Sequence, residues 1–360
     1  MNALARAPDT LGTATTHAVA FRGRGGEYFR IWIVNVALTV VTLGVYSAWA
    51  KVRTQRYFYG NTFVAGHSFE YHARAWRILV GRAIALVLFT GYSLSVVIYP
   101  WSFSVWVLVL AAAFPWLVNS SIRFNARNTS WRNVRFNFSG RYFEAFIAYV
   151  VWSAAALAMF PLIPYTRRVH DYFYINHHSF GGRAFRTEFP ASRIYVIYLV
   201  GFMVVVGALV AGLGAAAGLA DLATRMPGLA RSVQVPIGPG DFSAIFISLI
   251  GLGFAFVAAF VTTMVTNLSL SSTTFAGGHR LVSRAAPIRV AWIVLSNTVL
   301  TLLTLGLFYP FARIRLARYR MGKCALIARG DLDDFTSEAL TQQSAIGQEI
   351  AGFFDFSFGL

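Results

Sequence analysis

Basic and aromatic side chains occur twice in this sequence with matching spacing. Lys51, Arg53, Arg56 and Tyr57 follow one apolar stretch, and a similar set follows another near residue 310. Helix residues three or four apart share a face, and guanidinium groups on such a face can bind phosphate oxygens in pairs. The alternative role is anchoring to lipid headgroups beside interfacial aromatic residues. The candidate contacts with anions or lipid headgroups are Lys51, Arg53, Arg56, Tyr57, Arg168, Arg313, Arg315, Arg318 and Tyr319.

The middle of the chain departs from this pattern. Arg168 matches Arg53, but Asp171 stands where Arg56 does. A carboxylate at that place repels phosphate, which argues against three equivalent phosphate sites.

Two asparagines lie inside apolar segments at matching places, Asn35 and Asn297. A buried amide in a membrane protein commonly bonds across helices, which makes interhelical packing one role. Lining a solute pathway is the other, because transporters place polar groups near the membrane midplane.

Metal and catalytic chemistry find little support in the sequence. His170, Asp171, His177 and His178 form a metal-like cluster, but adjacent histidines on a strand point to opposite faces, and no zinc-type spacing is present. With one cysteine, Cys324, the chain cannot form an intrachain disulfide. We find no nucleophile triad and no phosphate-binding glycine loop, so the sequence predicts no enzyme activity, no metal and no cofactor.

The composition is that of a membrane protein. Hydrophobic residues make up 57% of the chain and charged residues 12%, against about 25% in soluble domains. The formal net charge is +17, although six of the 14 acidic residues lie in the last thirty positions. Basic residues between membrane segments favour the cytoplasmic side and anionic lipids. We therefore expect anionic lipid headgroups as partners and no nucleic acid. The sequence leaves open whether the protein forms a homo-oligomer.

Self-similarity divides the chain into repeats. The stretch "TLGVYSAWAKVRTQRYFYGN" is echoed by "TLGLFYPFARIRLARYRMGK", and "GGEYFRIW" by "SGRYFEAF". The units are a mobile N-terminal tail (1–17), repeat unit 1 (18–130), repeat unit 2 (131–282), a partial repeat unit 3 (283–330) and an acidic C-terminal tail (331–360).

The predicted fold class is an all-α polytopic membrane protein built from two full repeats and a partial third, with small cytoplasmic β-hairpins between the membrane segments. Alternating residues around Gly66, Gly181–Gly182 and Gly277–Gly278 predict those hairpins. The apolar segments at 30–50, 142–164 and 289–311 allow two topologies. They either span the membrane, or they turn back at Gly44, at Pro161 and Pro164, and at Gly306.

The segments "FRGRGGEYFRIW" and "TLGVYSAWAKVRTQRYFYGNTFVAGHSFEYH", with their echoes, resemble the YjgN family of bacterial inner-membrane proteins, over about residues 18–330. The resemblance implies a multi-pass protein of the bacterial cytoplasmic membrane. It supplies no substrate and no catalytic residue.

Two functions are compatible with the sequence. The first is transport, or a channel, for a small anionic or amphipathic solute, suggested by the repeats, the interrupted apolar segments and the paired asparagines. The second is a scaffold or anionic-lipid-binding protein that moves no solute. The absence of charged residues within the spans favours the second, because ion-coupled carriers use titratable groups there.

Overall fold

The computed structural model describes residues 14–225, 239–275, 278–330 and 332. Within them the chain forms ten helices and eleven strands. The helices are α1 (Gly25–Val41), α2 (Ser47–Gly60), α3 (Ala75–Ile98), α4 (Ser102–Arg127), α5 (Tyr142–Ala158, with a π-helical stretch at Ile147–Val151), α6 (Ile163–Asn176), α7 (Ala191–Arg225), α8 (Pro239–Ser271), α9 (Pro287–Leu303) and α10 (Tyr309–Met321). The strands are β1 (Ala14–Ala18), β2 (Ala20–Phe21), β3 (Thr62–Val64), β4 (His67–Tyr71), β5 (Thr129–Trp131), β6 (Val134–Phe138), β7 (His178–Phe180), β8 (Arg183–Thr187), β9 (Thr273–Phe275), β10 (His279–Ser283) and β11 (Cys324–Arg329).

All eleven strands join one antiparallel sheet in the order β1-β11-β10-β9-β8-β7-β6-β5-β4-β3-β2. The all-α fold class predicted from the sequence is therefore wrong. An isolated two-stranded hairpin is marginally stable and leaves its edge hydrogen bonds unpaired. Here neighbouring hairpins pair edge to edge, as β4 does with β5 and β6 with β7, which satisfies those groups.

The N-terminal strands nearly close this sheet into a ring. β1 pairs with β11 and β2 pairs with β3, and only Val19 separates β1 from β2 in the chain. The ring thus begins at Ala14, inside the segment predicted to be a tail. The rest of both predicted tails, residues 1–13, 331 and 333–360, lies outside the described residues.

Three of the strand hairpins turn with both central residues in the left-handed region. The φ values are 47° and 81° at Ala65–Gly66, 57° and 77° at Gly181–Gly182, and 50° and 65° at Arg132–Asn133. Two-residue turns of this kind match the twist of antiparallel strands. They hold each strand pair in register.

Three helical hairpins leave the ring and return to it. We call α1–α2 the first, α5–α6 the middle and α9–α10 the third hairpin. At each joint a backbone N–H before the hairpin donates to a carbonyl after it, over 2.9 Å: Arg22 to Asn61, Ser139 to His177, and Arg284 to Lys323. A hairpin that starts and ends at one point returns to the side from which it leaves, which is the geometry of the re-entrant alternative.

Four helices are long and apolar enough to cross a membrane: Ala75–Ile98, Ser102–Arg127, Ala191–Gly212 and Gly251–Ser271. They belong to α3, α4, α7 and α8 and form two antiparallel pairs, which also begin and end at the ring. The N–H of His72 donates to the carbonyl of Asn128 at the base of the first pair, over 2.8 Å. Among the described residues there are thus four candidate spans and three shorter helical hairpins, not the seven spans of one of the two sequence-based alternatives.

The helices stand next to one another in chain order: α2 packs on α3, α4 on α5, α6 on α7, and α8 on α9. α10 then packs on α1. A pair of spans thus separates the first hairpin from the middle one and the middle one from the third. Among the described residues no such pair lies between the third and first hairpins, and we call this direct contact the seam.

Candidate functional site

The ring, α2 and α10 line a partly open cavity of about 540 Å³, within the roughly 300–1,000 Å³ of ligand pockets. We call it the ring cavity. Its wall is formed by Val19, Phe21, Gln55, Phe58, Tyr59, Thr62, Val64, Phe69, Trp131, Phe136, Phe180, Phe185, Phe275, Leu281, Arg313, Ala317, Met321, Leu326 and Leu332. Most of these side chains are aromatic or aliphatic, so the ring cavity suits an apolar group.

Strand alternation aims these side chains inward, since every second residue of a strand faces the same side. Phe69, Phe136 and Phe185 come from β4, β6 and β8 and stack around the cavity. The ring of Phe136 also lies 4.7 Å from that of Phe180, centroid to centroid. Such aromatic pairs add stabilisation to that of buried area, which keeps the wall ordered around the open space.

Two polar residues of the wall lie beside the seam. Gln55 and Arg313 line the ring cavity and also a second space of about 400 Å³, which we call the seam cleft. Its lining residues come from α1, α2 and α10: Tyr28, Trp32, Asn35, Val36, Thr39, Val40, Ser47, Ala50, Lys51, Thr54, Gln55, Tyr309 and Arg313. The two spaces therefore adjoin, and the seam cleft has the larger share of polar groups in its lining.

Several of the predicted basic contacts bind backbone carbonyl groups near the joints. Arg56 Nε donates to the carbonyl of Tyr71 over 3.2 Å. Arg318 Nη2 donates to the carbonyl of Gly23 over 2.9 Å, across the seam. In the middle hairpin Arg168 Nε donates to the carbonyl of Phe189 over 3.1 Å. Arg168 thus makes the kind of bond that Arg56 makes, although the sequence match sets Arg168 against Arg53.

The two predicted tyrosines also bind backbone at the joints. The hydroxyl of Tyr57 accepts from the N–H of Arg24 over 2.8 Å, and that of Tyr319 accepts from the N–H of Ala286 over 3.2 Å. Each hydroxyl accepts a hydrogen bond from a backbone N–H just before the first helix of its own hairpin, a group that has no partner within the helix. Both side chains therefore fasten the start of a helical hairpin to its end.

Four of the predicted basic residues remain, and one of them, Arg315, donates to Asn297. Lys51 and Arg313 line the seam cleft, while Arg53 is exposed on α2. Arg313 lies over the ring of Phe58, 4.7 Å from its centroid, and its Nη1 is 3.4 Å from the hydroxyl of Tyr28. Arg313 is thereby held between the ring cavity and the cleft.

The two asparagines differ in their surroundings. Asn297 Nδ2 donates to the carbonyl of Ala312 over 3.0 Å, and its Oδ1 accepts from Arg315 Nη1 over 3.1 Å. Both bonds tie α9 to α10. Asn35 is also buried, but its Oδ1 has no hydrogen-bond partner, and the residue lines the seam cleft.

The histidine cluster of the middle hairpin is occupied by other bonds. His177 Nδ1 and His178 Nδ1 lie within hydrogen-bond distance of carbonyls one turn back, those of Phe173 and Tyr174. His170 Nε2 lies 2.8 Å from the carbonyl of Ala148, inside the π-helical stretch. In the part of the chain that the structure describes, no three His, Cys, Asp or Glu side chains come together as metal ligands.

Sequence reasoning missed the aromatic wall of the ring cavity and the hydroxyl and amide groups of the cleft, such as Thr39, Thr54 and Gln55. The alternation of β4, β6 and β8 does predict one apolar face for each strand. It does not show that these faces meet, because that depends on the order in which the hairpins pair.

Comparisons with known proteins agree with the membrane assignment. Residues 16–353 match the profile of a family described as "Bacterial protein of unknown function (DUF898)". The chain is 31% identical over 125 residues to "Inner membrane protein YjgN" of Salmonella typhimurium (strain LT2), and 32% identical over 125 residues to the protein of that name in Escherichia coli (strain K12). Each match covers 34% of this chain and 31% of the relative, so the chain spans about a third of the length of the curated relatives it matches. No solved structure matches the chain significantly.

With four helices long enough to span, this is a multi-pass protein of the bacterial inner membrane. The profile match over most of its length, supported by these relatives, shows that the chain belongs to the YjgN family, DUF898.

Proposed function

We propose that this protein binds an amphipathic molecule of the membrane, with its apolar chain in the ring cavity and its polar group beside Arg313 and Gln55. The ring cavity carries the proposal, because it is apolar over most of its wall and polar where it meets the seam cleft. This is the lipid-binding alternative of the two functions that the sequence allows. It assigns no catalytic step to the protein.

The size of the ring cavity supports an apolar occupant. A volume of about 540 Å³ lies within the range of small-molecule ligand pockets. Water would fill the space poorly, because each buried water needs two to four polar partners, and the polar residues of the wall are few: Gln55, Tyr59, Thr62 and Arg313.

The charge distribution supports a ring on the cytoplasmic side. The far ends of the helical hairpins, residues 42–46, 159–162 and 304–308, and the link between the first two spans, 99–101, carry no Lys or Arg. Most basic residues lie instead on the ring and the adjoining helix ends, as the positive-inside bias favours. The hairpin tips are apolar, and Leu43 and Leu305 are each 94% exposed, which suits immersion in the cytoplasmic leaflet.

The arrangement of the spans supports binding more than passage of a solute. The spans form two separate pairs, each flanked by helical hairpins. Along Ala75–Ile98 none of the apolar window is buried, and along Ser102–Arg127 only 11% is. Helices that expose their sides to lipid in this way do not enclose a polar path within the described residues. No observation therefore supports transport as directly as the ring cavity supports binding.

Filling the ring cavity tests the proposal. Leu281 on β10 lines the cavity, whereas the neighbouring Val282 is not among the lining residues and faces the other side of the strand. We expect Leu281→Trp to lower the amount of lipid that co-purifies with the protein by at least half, measured by native mass spectrometry from mild detergent. Val282→Trp is the matched control and should retain it. Equal lipid in the two variants and the parent would contradict the proposal.

A further inference from the structure

The seam cleft differs from its surroundings by lying where two helical hairpins touch with no spans between them. α1 and α2 form one wall and α10 the other. Val36 and Val40 line the end toward the apolar tip of the first hairpin, and Gln55 and Arg313 line the end toward the ring cavity. An amphipathic molecule could therefore reach the ring cavity from the bilayer through this cleft.

Asn35 is the polar group of the cleft that lacks a partner. The residue is only 5% exposed, and its Oδ1 is buried without a hydrogen bond. A buried unpaired acceptor costs about the free energy of a lost hydrogen bond. The matching residue of the third hairpin, Asn297, has a partner on each side of its amide, so burial of an asparagine at this place does not by itself leave it unpaired.

The difference between the two asparagines lies on the neighbouring helix. Asn297 accepts from Arg315, one of the basic residues of α10. Arg53 holds the matching place on α2, but it is exposed and makes no bond with Asn35. Asn35 faces the cleft instead. Its oxygen therefore has no donor within the protein, and a bound molecule that reached it would supply one.

The charge of the cleft is positive. Lys51 on α2 and Arg313 on α10 line it, and among its lining residues that the structure describes there is no carboxylate. The hydroxyls of Thr39, Ser47 and Thr54 add further polar groups. Two cations without an acidic neighbour favour an anion, and phosphate oxygens accept well from both ammonium and guanidinium groups.

We infer that the seam cleft binds a phosphate ester that carries a hydroxyl or amine donor. Lys51 and Arg313 pair with the phosphate oxygens, and Asn35 Oδ1 accepts a hydrogen bond from the donor group. The inference rests on the proposed function, since it specifies the polar group of the molecule whose chain fills the ring cavity. A lipid headgroup and a free phosphate ester such as glycerol phosphate share this chemistry, and the inference takes the lipid as the source.

The experiment compares two lipids of equal charge, one with a hydrogen-bond donor in its headgroup and one without. Phosphatidylglycerol has hydroxyl groups beyond its phosphate, whereas phosphatidylmethanol has the same charge and none. Each lipid is titrated into the full chain in detergent and bound lipid is counted by native mass spectrometry. We expect about a fivefold preference for phosphatidylglycerol, the effect of one hydrogen bond to a buried acceptor.

Two variants assign this preference to the cleft. Asn35→Leu removes the acceptor without removing a bond within the protein, so it should fold and bind both lipids equally, within twofold of the parent's affinity for phosphatidylmethanol. Lys51→Gln should weaken both lipids by about tenfold, while Arg53→Gln, two residues along α2 and outside the cleft lining, should leave both unchanged.

The outcomes separate this inference from the proposed function. A parent without lipid preference, or an Asn35→Leu variant that keeps it, would overturn the assignment of the cleft even if Leu281→Trp still loses lipid. If Leu281→Trp still binds both lipids as the parent does, the proposed function is overturned instead. Displacement of lipid by millimolar glycerol phosphate, with direct binding of glycerol phosphate to Leu281→Trp, would show that the source is the free ester and not the lipid.

Discussion

A histidine in the wall of the ring makes the sheet sensitive to pH. His279 on β10 is buried, and its Nδ1 accepts a hydrogen bond from the backbone N–H of Arg329 over 3.0 Å. Burial lowers the pKa of His279 below its usual 6.5, and the positive charge of Arg183 lowers it further. The neutral imidazole therefore contributes to holding β10 against β11.

The sign of the effect follows from this lowered pKa. The unfolded chain takes up a proton near pH 6.5 and the folded chain only at lower pH, so the stabilisation is present above about pH 6.5 and is lost as the pH falls below it. We expect the melting temperature to fall between pH 7.5 and 5.5, with a loss of about 1 kcal/mol from this bond. His279→Asn keeps an acceptor and should reduce the fall. His67→Asn, at an exposed position, is the control, and an equal reduction there would contradict the assignment.

Among the residues predicted to contact anions, the sequence could indicate the helix face but not its neighbours. The spacing of Arg53, Arg56 and Tyr57 predicts helix correctly, since α2 covers all three. Arg56 nevertheless binds a carbonyl beside the ring and Arg53 faces outward. Which basic residue meets a cavity depends on the contact of α1 with α10, made by segments at opposite ends of the chain.

At the scale of elements, a glycine in a left-handed conformation ends the first helix of two hairpins. Gly44 and Gly306 each have φ of 92°, and their N–H groups donate to the carbonyls of Thr39 and Thr301 over 2.7 Å. The threonine of each Thr-Leu-Gly turn also accepts the N–H four residues on, as Thr42 does from Tyr46. The turn thus closes the end of one helix and starts the next.

Replacement of these glycines should weaken the hairpins. Alanine in the left-handed region costs about 1–2 kcal/mol, so we expect Gly44→Ala and Gly306→Ala each to lower the free energy of unfolding by about that amount. Thermal unfolding in detergent measures it. Gly91 lies within α3, without an atom near its added methyl group, so Gly91→Ala should be neutral or stabilising. A similar loss in all three variants would indicate that the turn conformation is not the cause.

The strand hairpins show what local sequence patterns can and cannot predict. Gly66 and Gly181–Gly182 stand where the sequence predicts tight turns, and both turns form with positive φ; Gly277 lies outside the described residues. The alternation from Thr129 predicts β5 and β6, but their turn at Arg132–Asn133 has no glycine to identify it. The order in which the hairpins join could not be predicted, because each exposes a similar pair of edges.

At the scale of the molecule, the ring depends on contacts between the two ends of the described chain. Ala14 pairs with Arg329 and Ala18 with Ala325. A contact over so long a separation leaves no local pattern in the sequence, and the polar residues around Thr15 suggest a tail. The predicted fold class is wrong for this reason. Each hairpin can be predicted from its local sequence, whereas the ring forms only when all the hairpins pair with one another and the two ends meet.

The ring also fixes the topology, which cysteine labelling can test. In a Cys324→Ser background, single cysteines replace His67 and Arg183, beside turns of the ring, Trp101, in the link between two spans, and Leu43, at a hairpin tip. In intact spheroplasts a membrane-impermeant maleimide should label Trp101→Cys alone. Opening the membrane should add His67→Cys and Arg183→Cys, because every hairpin starts and ends on the ring side.

Leu43→Cys decides between a re-entrant and a spanning first hairpin. If α1 turns back at Gly44, residue 43 lies among acyl chains and should stay largely unlabelled both before and after the membrane is opened, since a thiol in hydrocarbon does not ionise readily and only the thiolate reacts. If α1 crossed the bilayer, residue 43 would reach the outer surface and label in intact spheroplasts as strongly as Trp101→Cys. That result, or labelling of His67→Cys from outside, would contradict a ring on the cytoplasmic side with hairpins that dip into one leaflet.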